Sequence, residues 1–187
     1  MCKDQIPREK RKNMARPFLK WAGGKTQILS EIDARLPKNI SECNTYVEPF
    51  VGGGSVLFHM LDNYDFEAIH ISDLNPELTL CYRTLQSDAQ SVIESLQELI
   101  QEYPSEHKER KKVYYSIRDK WNSLVDETGR LTSEQQSLRV AQTLFLNKTC
   151  FNGLFRVNSK GEFNVPIGDY AKPSFPGEDG LLSVQKV

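Results

Sequence analysis

Ten consecutive residues, Tyr46-Val47-Glu48-Pro49-Phe50-Val51-Gly52-Gly53-Gly54-Ser55, run from an apolar stretch through three glycines to a helix-starting serine. A strand that opens through glycines onto a helix N-terminus makes a ligand site: the glycines let a ligand reach the main chain, and the first helix amides face it. The next apolar stretch ends in Ser72-Asp73-Leu74-Asn75, so Asp73 stands 21 residues after Gly52. A carboxylate at that distance is placed to accept hydrogen bonds from ribose hydroxyls. Together the two segments point to a nucleoside-bearing ligand; the alternative is a plain glycine turn beside an exposed aspartate. In the dinucleotide pattern G-x-G-x-x-G, Gly52 and Gly54 fit but Leu57 stands where the third glycine belongs. That glycine lets the helix pack close beside a pyrophosphate, so a nucleoside without phosphates fits better.

A second glycine segment is Trp21-Ala22-Gly23-Gly24-Lys25-Thr26. The phosphate-cradling pattern G-x-x-x-x-G-K-[ST] needs glycine at position 19, where Leu19 stands, which argues against a magnesium-dependent nucleotide hydrolase. Trp21 then either stacks on a ligand, with Lys25 supplying positive charge, or is a core aromatic.

Composition narrows the class. The 187 residues suffice for one domain with a small insert, and 39% hydrophobic with 26% charged residues is ordinary for a soluble globular protein. No apolar run approaches the roughly 18 residues of a membrane span, and the basic N-terminus lacks the apolar stretch of a secretory signal. Cys2, Cys43, Cys81 and Cys150 are scattered, suggesting neither a zinc site nor a disulfide framework, so a reducing cytoplasm is the expected compartment. Residues 1–25 hold eight basic and two acidic side chains, leaving −7 on the rest of a chain whose net charge is −1. Such an arm is either a solvated tail or a phosphate contact, and Met14 is an alternative start.

The elements that must position these residues follow from periodicity. Apolar residues at 28, 29, 32 and 36 predict a helix over 26–36, capped by Thr26 and ended by Pro37. Strands are expected at 45–51 and 66–71, with a helix starting at 55–61 between them. Long helices are expected at 76–101, 108–125 and 133–146, then a hairpin over 156–165 turning at Asn158-Ser159-Lys160-Gly161. After Pro166 the density of glycine and proline predicts no further element. The order strand, glycine turn, helix, strand, acidic turn, helix is the start of a parallel α/β sheet.

The residues then carry a resemblance. Phe18-Leu19-Lys20-Trp21-Ala22-Gly23-Gly24-Lys25, Glu48 through Val56, and Ser72-Asp73-Leu74-Asn75 resemble the Dam family of DNA adenine-N6 methyltransferases (D12 class, group alpha). Phe151-Asn152-Gly153-Leu154-Phe155-Arg156-Val157-Asn158 and the segment from Gly161 to Tyr170 resemble its target-recognition hairpin. The match runs from about Arg16 to Pro176. It implies a partial Rossmann-like fold that binds S-adenosyl-L-methionine, joined to a mostly helical DNA-recognition domain. The implied division is a basic tail at 1–16, donor-binding domain at 17–76, DNA recognition at 77–176, and a truncated tail at 177–187. Trp21, Lys25, Glu48, Pro49, Phe50, Gly52, Gly53, Gly54 and Asp73 would contact the cofactor. Phe151, Asn152, Arg156, Asn158 and Pro166 would face double-stranded DNA. No metal and no membrane is implied.

Two departures stand out. Asp169 occupies a step where the family often has arginine, and a carboxylate repels phosphate and cannot donate to guanine, which puts recognition of GATC in question. No Pro-Pro pair occurs, so the Asp-Pro-Pro-Tyr motif that holds the target amino group in the family is absent. The resemblance therefore implies an adenine methyltransferase truncated before that motif and inactive alone, marginally stable or dependent on a separate C-terminal fragment. The alternatives are a non-catalytic binding remnant and one half of a split enzyme.

Overall fold

The structure, a computed structural model, describes residues 15–124 and 131–186. Of the basic tail at 1–16 only Ala15 and Arg16 are described; Cys2 and Met14 lie outside the described residues. Arg16 pairs with Asp62 at 2.6 Å.

Strand β1 (Thr45–Glu48), helix α2 (Ser55–Asn63) and strand β2 (Ala68–Ile71) form one β-α-β unit, preceded by a short helix α1 (Leu29–Asp33). The two strands pair in parallel, with Thr45 opposite Ala68 and Glu48 opposite Ile71. Both are shorter than their apolar runs suggest. The chain stays close beyond β1, because Ser72 N–H donates to the Glu48 carbonyl and Val51 N–H to the Ser72 carbonyl, each at 3.0 Å. That pairing brings the glycine turn beside the Asp73 turn.

Helices α3 (Pro76–Gln101), α4 (His107–Ser123), α5 (Ser133–Thr149) and α6 (Glu178–Gln185) make the larger layer. α3 packs along α5 and against α6, and α4 packs on α5. Leu78, Cys81, Leu85, Val92, Tyr114, Trp121, Leu144 and Phe145 are all at most 1% exposed, so the core sits here rather than under the strands. Arg139 is buried in it, bonded to Glu77 at 2.7 and 3.2 Å and stacked over the Trp121 ring. Thr132 and Gln135 exchange side-chain and backbone hydrogen bonds as a capping box that starts α5.

Three expectations need correction. The helix over 26–36 is a 3₁₀ turn at Thr26–Ile28 followed by the five residues of α1. Thr26 caps nothing; its hydroxyl meets Ser55 Oγ at 3.3 Å, and no residue of α1 is buried, so nothing rewards a longer helix. α3 breaks at Asp88 (φ −154°, ψ 73°), whose carboxylate takes hydrogen bonds from the Ser91 hydroxyl and amide and restarts the helix. Those bonds hold the Asp88 carboxyl below its ordinary pKa. The segment after Pro176 is not featureless: α6 forms there with Leu181 and Val184 buried, and Glu178 and Asp179 suit its positive N-terminal end.

The hairpin is minimal, a single antiparallel bridge between Val157 and Phe163. A second bridge, Cys150 to Ile167, closes its base. None of the described helices is long and apolar enough to cross a membrane.

Candidate donor cleft and recognition hairpin

A cleft of about 390 Å³ lies where the 21–25 turn, the glycine turn and the Asp73 turn meet. Trp21, Lys25, Glu48, Phe50, Gly52, Gly53 and Asp73 line it, so seven of the nine residues expected at a cofactor come together. Pro49 and Gly54 do not line it. Pro49 is exposed, and its carbonyl accepts from the Ser72 hydroxyl at 3.1 Å. Gly54 is buried at φ +81°; a Cβ there would lie 2.5 Å from the Tyr82 hydroxyl and 2.7 Å from the Phe58 ring. Its glycine is a packing requirement at the start of α2.

The other glycines serve the wall as much as the opening. Added Cβ atoms on Gly52 and Gly53 would meet Trp21 at 3.3 and 3.1 Å. Trp21 thus presses on the loop, with its ring 5.3 Å from Phe155 on the other side. Gly52, at φ +53°, donates its N–H to Asp73 Oδ2 at 2.9 Å, and Tyr82 donates its hydroxyl to the Gly52 carbonyl at 3.2 Å. Asp73 Oδ1 accepts the Asn75 N–H at 2.9 Å. Each carboxylate oxygen keeps a lone pair, and the carboxylate is oriented by two amides before any ligand arrives.

Glu48 ends β1 and accepts the Tyr46 hydroxyl at 2.8 Å. Burial pushes its carboxyl above the ordinary carboxylate pKa, against the lowering effect of the Tyr46 hydroxyl and the Leu57 backbone amide. Lys25 donates to the Gly23 carbonyl at 2.7 Å, and no carboxylate pairs with it among the described residues. An oriented aspartate, a half-buried glutamate and an unpaired ammonium around a glycine-walled cleft suit a ligand with a diol and a zwitterionic end.

Sequence reasoning missed several lining residues. Gly23, Gly24, Ser55 and Val56 adjoin the motifs and were findable; Ile28 and Ile32 belong to the short helical segment before β1 and become cleft residues through its position. Tyr82 carries no local signal, since it reaches Gly52 from 30 positions away. A larger cavity, about 480 Å³, lies against β2, α2 and α3 and shares Val51 and Asp73 with the cleft, but it takes in neither Lys25 nor the glycines. Among the described residues no group of three or more His, Cys, Asp or Glu is arranged to hold a metal ion.

The five residues expected at DNA occupy the hairpin and its base. Phe151 is 51% exposed, and Asn152 beside it is the described non-glycine residue with positive φ (56°). Arg156 is exposed and steered by Asn164, whose Oδ1 accepts its Nε–H at 2.7 Å. Asn158 is committed to the turn: its Oδ1 accepts from the amides of Lys160 and Glu162, and its Nδ2 donates to Glu162. These bonds shape the hairpin turn. The Pro166 carbonyl accepts the Phe151 N–H at 2.9 Å and so fixes the root of that residue. Asp169 is 94% exposed and lies 3.7 Å from His107.

Residues 21–182 match the family model described as D12 class N6 adenine-specific DNA methyltransferase. The chain is 49% identical over 175 residues to the type II methyltransferase M.MjaIII of Methanocaldococcus jannaschii, covering 92% of this chain and 58% of that protein. It is 39% identical over 164 residues to a DNA adenine methylase of Vibrio cholerae, covering 88% and 52%. With the DNA adenine methylase of Escherichia coli K12 the figures are 38% over 161 residues, 86% and 50%. The chain thus spans about half the length of these relatives. Because the matched span takes in both the cleft and the hairpin, the chain belongs to the D12 class of N6 adenine-specific DNA methyltransferases.

Proposed function

We propose that the cleft binds S-adenosyl-L-methionine, that the hairpin faces double-stranded DNA, and that the protein these parts serve methylates adenine at N6. The observation that carries the reading is the meeting of Trp21, Lys25, Gly52, Gly53 and Asp73, from three separated segments, in one cleft. Asp73, already oriented by the Gly52 and Asn75 amides, accepts the ribose hydroxyls. Lys25 neutralises the donor's carboxylate and Glu48 its ammonium. Trp21 closes the wall and excludes water. The donor supplies an electrophilic methyl on a sulfonium, so no covalent enzyme intermediate is needed and the protein's task is orientation.

On the DNA side, an enzyme acting on a base amino group extrudes that base from the stack. Phe151, exposed at the hairpin root, fills the vacated space and recovers stacking. Arg156 meets a base edge or a phosphate beside it. Residues 17–76 form the donor-binding part and 77–176 the DNA-recognition part, and the setting is a reducing cytoplasm where DNA is present.

The chain contains no Asp-Pro-Pro-Tyr, the motif that in the family accepts the target amino group and stacks on the base. We therefore expect these 187 residues alone to bind donor but transfer no methyl. Calorimetry with S-adenosyl-L-methionine tests the first half; absence of heat at millimolar donor on folded protein sinks the reading. Transfer of labelled methyl to unmethylated duplex, with and without a polypeptide that supplies Asp-Pro-Pro-Tyr, tests the second. Transfer only with the added piece supports one half of a split enzyme; donor binding with no transfer in either case favours a non-catalytic remnant.

A further inference from the structure

Asn147, on the last turns of α5, is 1% exposed and uses its whole carboxamide on other parts of the chain. Its Oδ1 accepts the Lys20 N–H at 2.8 Å. Its Nδ2 donates to the Lys20 carbonyl at 2.9 Å and to the Gly153 carbonyl at 2.9 Å. One side chain therefore grips both backbone groups of the residue before Trp21 and also the turn that presents Phe151. Lys20 packs tightly there, since a Cβ on Gly153 would fall 2.5 Å from Lys20 Cδ. The Lys20 ammonium sits 5.2 Å over the Tyr170 ring, beyond the hairpin. Trp21 itself touches Phe155. A buried carboxamide held by three hydrogen bonds restrains the groups it joins, and losing it would leave a backbone N–H and two carbonyls without that partner.

We infer that Asn147 is a positioning residue that makes the cleft wall and the hairpin move as one body, so that an adenosine-bearing ligand in the cleft and DNA at the hairpin each bias the other. The coupling is reciprocal, as any linkage between two binding events must be. It rests on the donor reading above.

The test uses the ¹⁵N-labelled 187-residue chain, with S-adenosyl-homocysteine as the probe. Three sets of NMR signals are followed: the Trp21 indole, the Asn152 and Gly153 amides, and the Trp121 indole. Asn152 and Gly153 do not line the cleft. The Trp121 indole is bonded to Thr143 Oγ1 at 2.8 Å in the core and reports whether the core is intact. In the unaltered chain the probe should move the Trp21 indole and, with the same midpoint, the Asn152 and Gly153 amides. In Asn147→Ala and Asn147→Ser the Trp21 response should persist while the hairpin displacement falls about two-fold or more. The Trp121 signal should stay in place throughout.

A Trp21 response in the unaltered chain with silent hairpin amides overturns the inference alone. So does an undiminished hairpin response in folded variants. No Trp21 response at saturating probe overturns the donor reading, and the inference with it. If both variants unfold, the hairpin amides of the unaltered chain still decide for or against the coupling.

Discussion

Gly54 and Glu48 show how much a single residue decides around the cleft. At Gly54 a positive φ coincides with a Cβ position occupied by Tyr82 and Phe58. Gly54→Ala should cost about 2–4 kcal/mol, combining left-handed strain with overpacking, measured as a lowered urea midpoint. Glu48 tests electrostatics. Its folded-state pKa is raised, so its charge costs stability at pH above the raised value; that cost shrinks as pH falls below it and is gone below the ordinary carboxylate pKa. Glu48→Gln should therefore melt higher than the unaltered chain at neutral pH, and the gap should close on going from about pH 8 to about pH 4. On the donor reading the same substitution weakens S-adenosyl-L-methionine binding at neutral pH, separating stability from function. The triple glycine is visible in the sequence; that Gly52 and Gly53 accommodate Trp21 while Gly54 accommodates Tyr82 is not, because those partners come from distant parts of the chain.

Elements are held by what they bury. The Glu77–Arg139 pair joins the start of α3 to α5, with side chains only 16% and 9% exposed. Glu77→Ala leaves a buried guanidinium without its carboxylate and should cost about 3 kcal/mol in urea unfolding. α6 is masked in the sequence by the glycines and prolines around it, yet Leu181 and Val184 are buried on one face. Gly180 lowers its intrinsic propensity by about 1 kcal/mol, and burial against α3 outweighs that. Leu181→Ala should lower stability by about 2–4 kcal/mol; a loss under about 0.5 kcal/mol would show α6 to be an appendage. The opposite error is α1, where helical spacing is present but no core lies beneath it.

At the scale of the whole molecule the two layers differ in burial. No residue of β1 or β2 is fully buried, and Val47 is 63% exposed, whereas the centres of α3 and α5 are sealed. Amide exchange should therefore find the α3–α5 core protected to the global unfolding free energy, with the strand amides opening at lower cost; equal protection would contradict this division. The sequence by itself determined the glycine and aspartate motifs, the strand–helix alternation and the long helices, because these rest on local chemistry and periodicity. Only the tertiary structure decided which motif residues share a cleft, that Asn158 braces its turn, that α6 exists, and that Asn147 bonds to both Lys20 and Gly153. Those outcomes depend on contacts between residues up to 127 positions apart, and no local pattern encodes them.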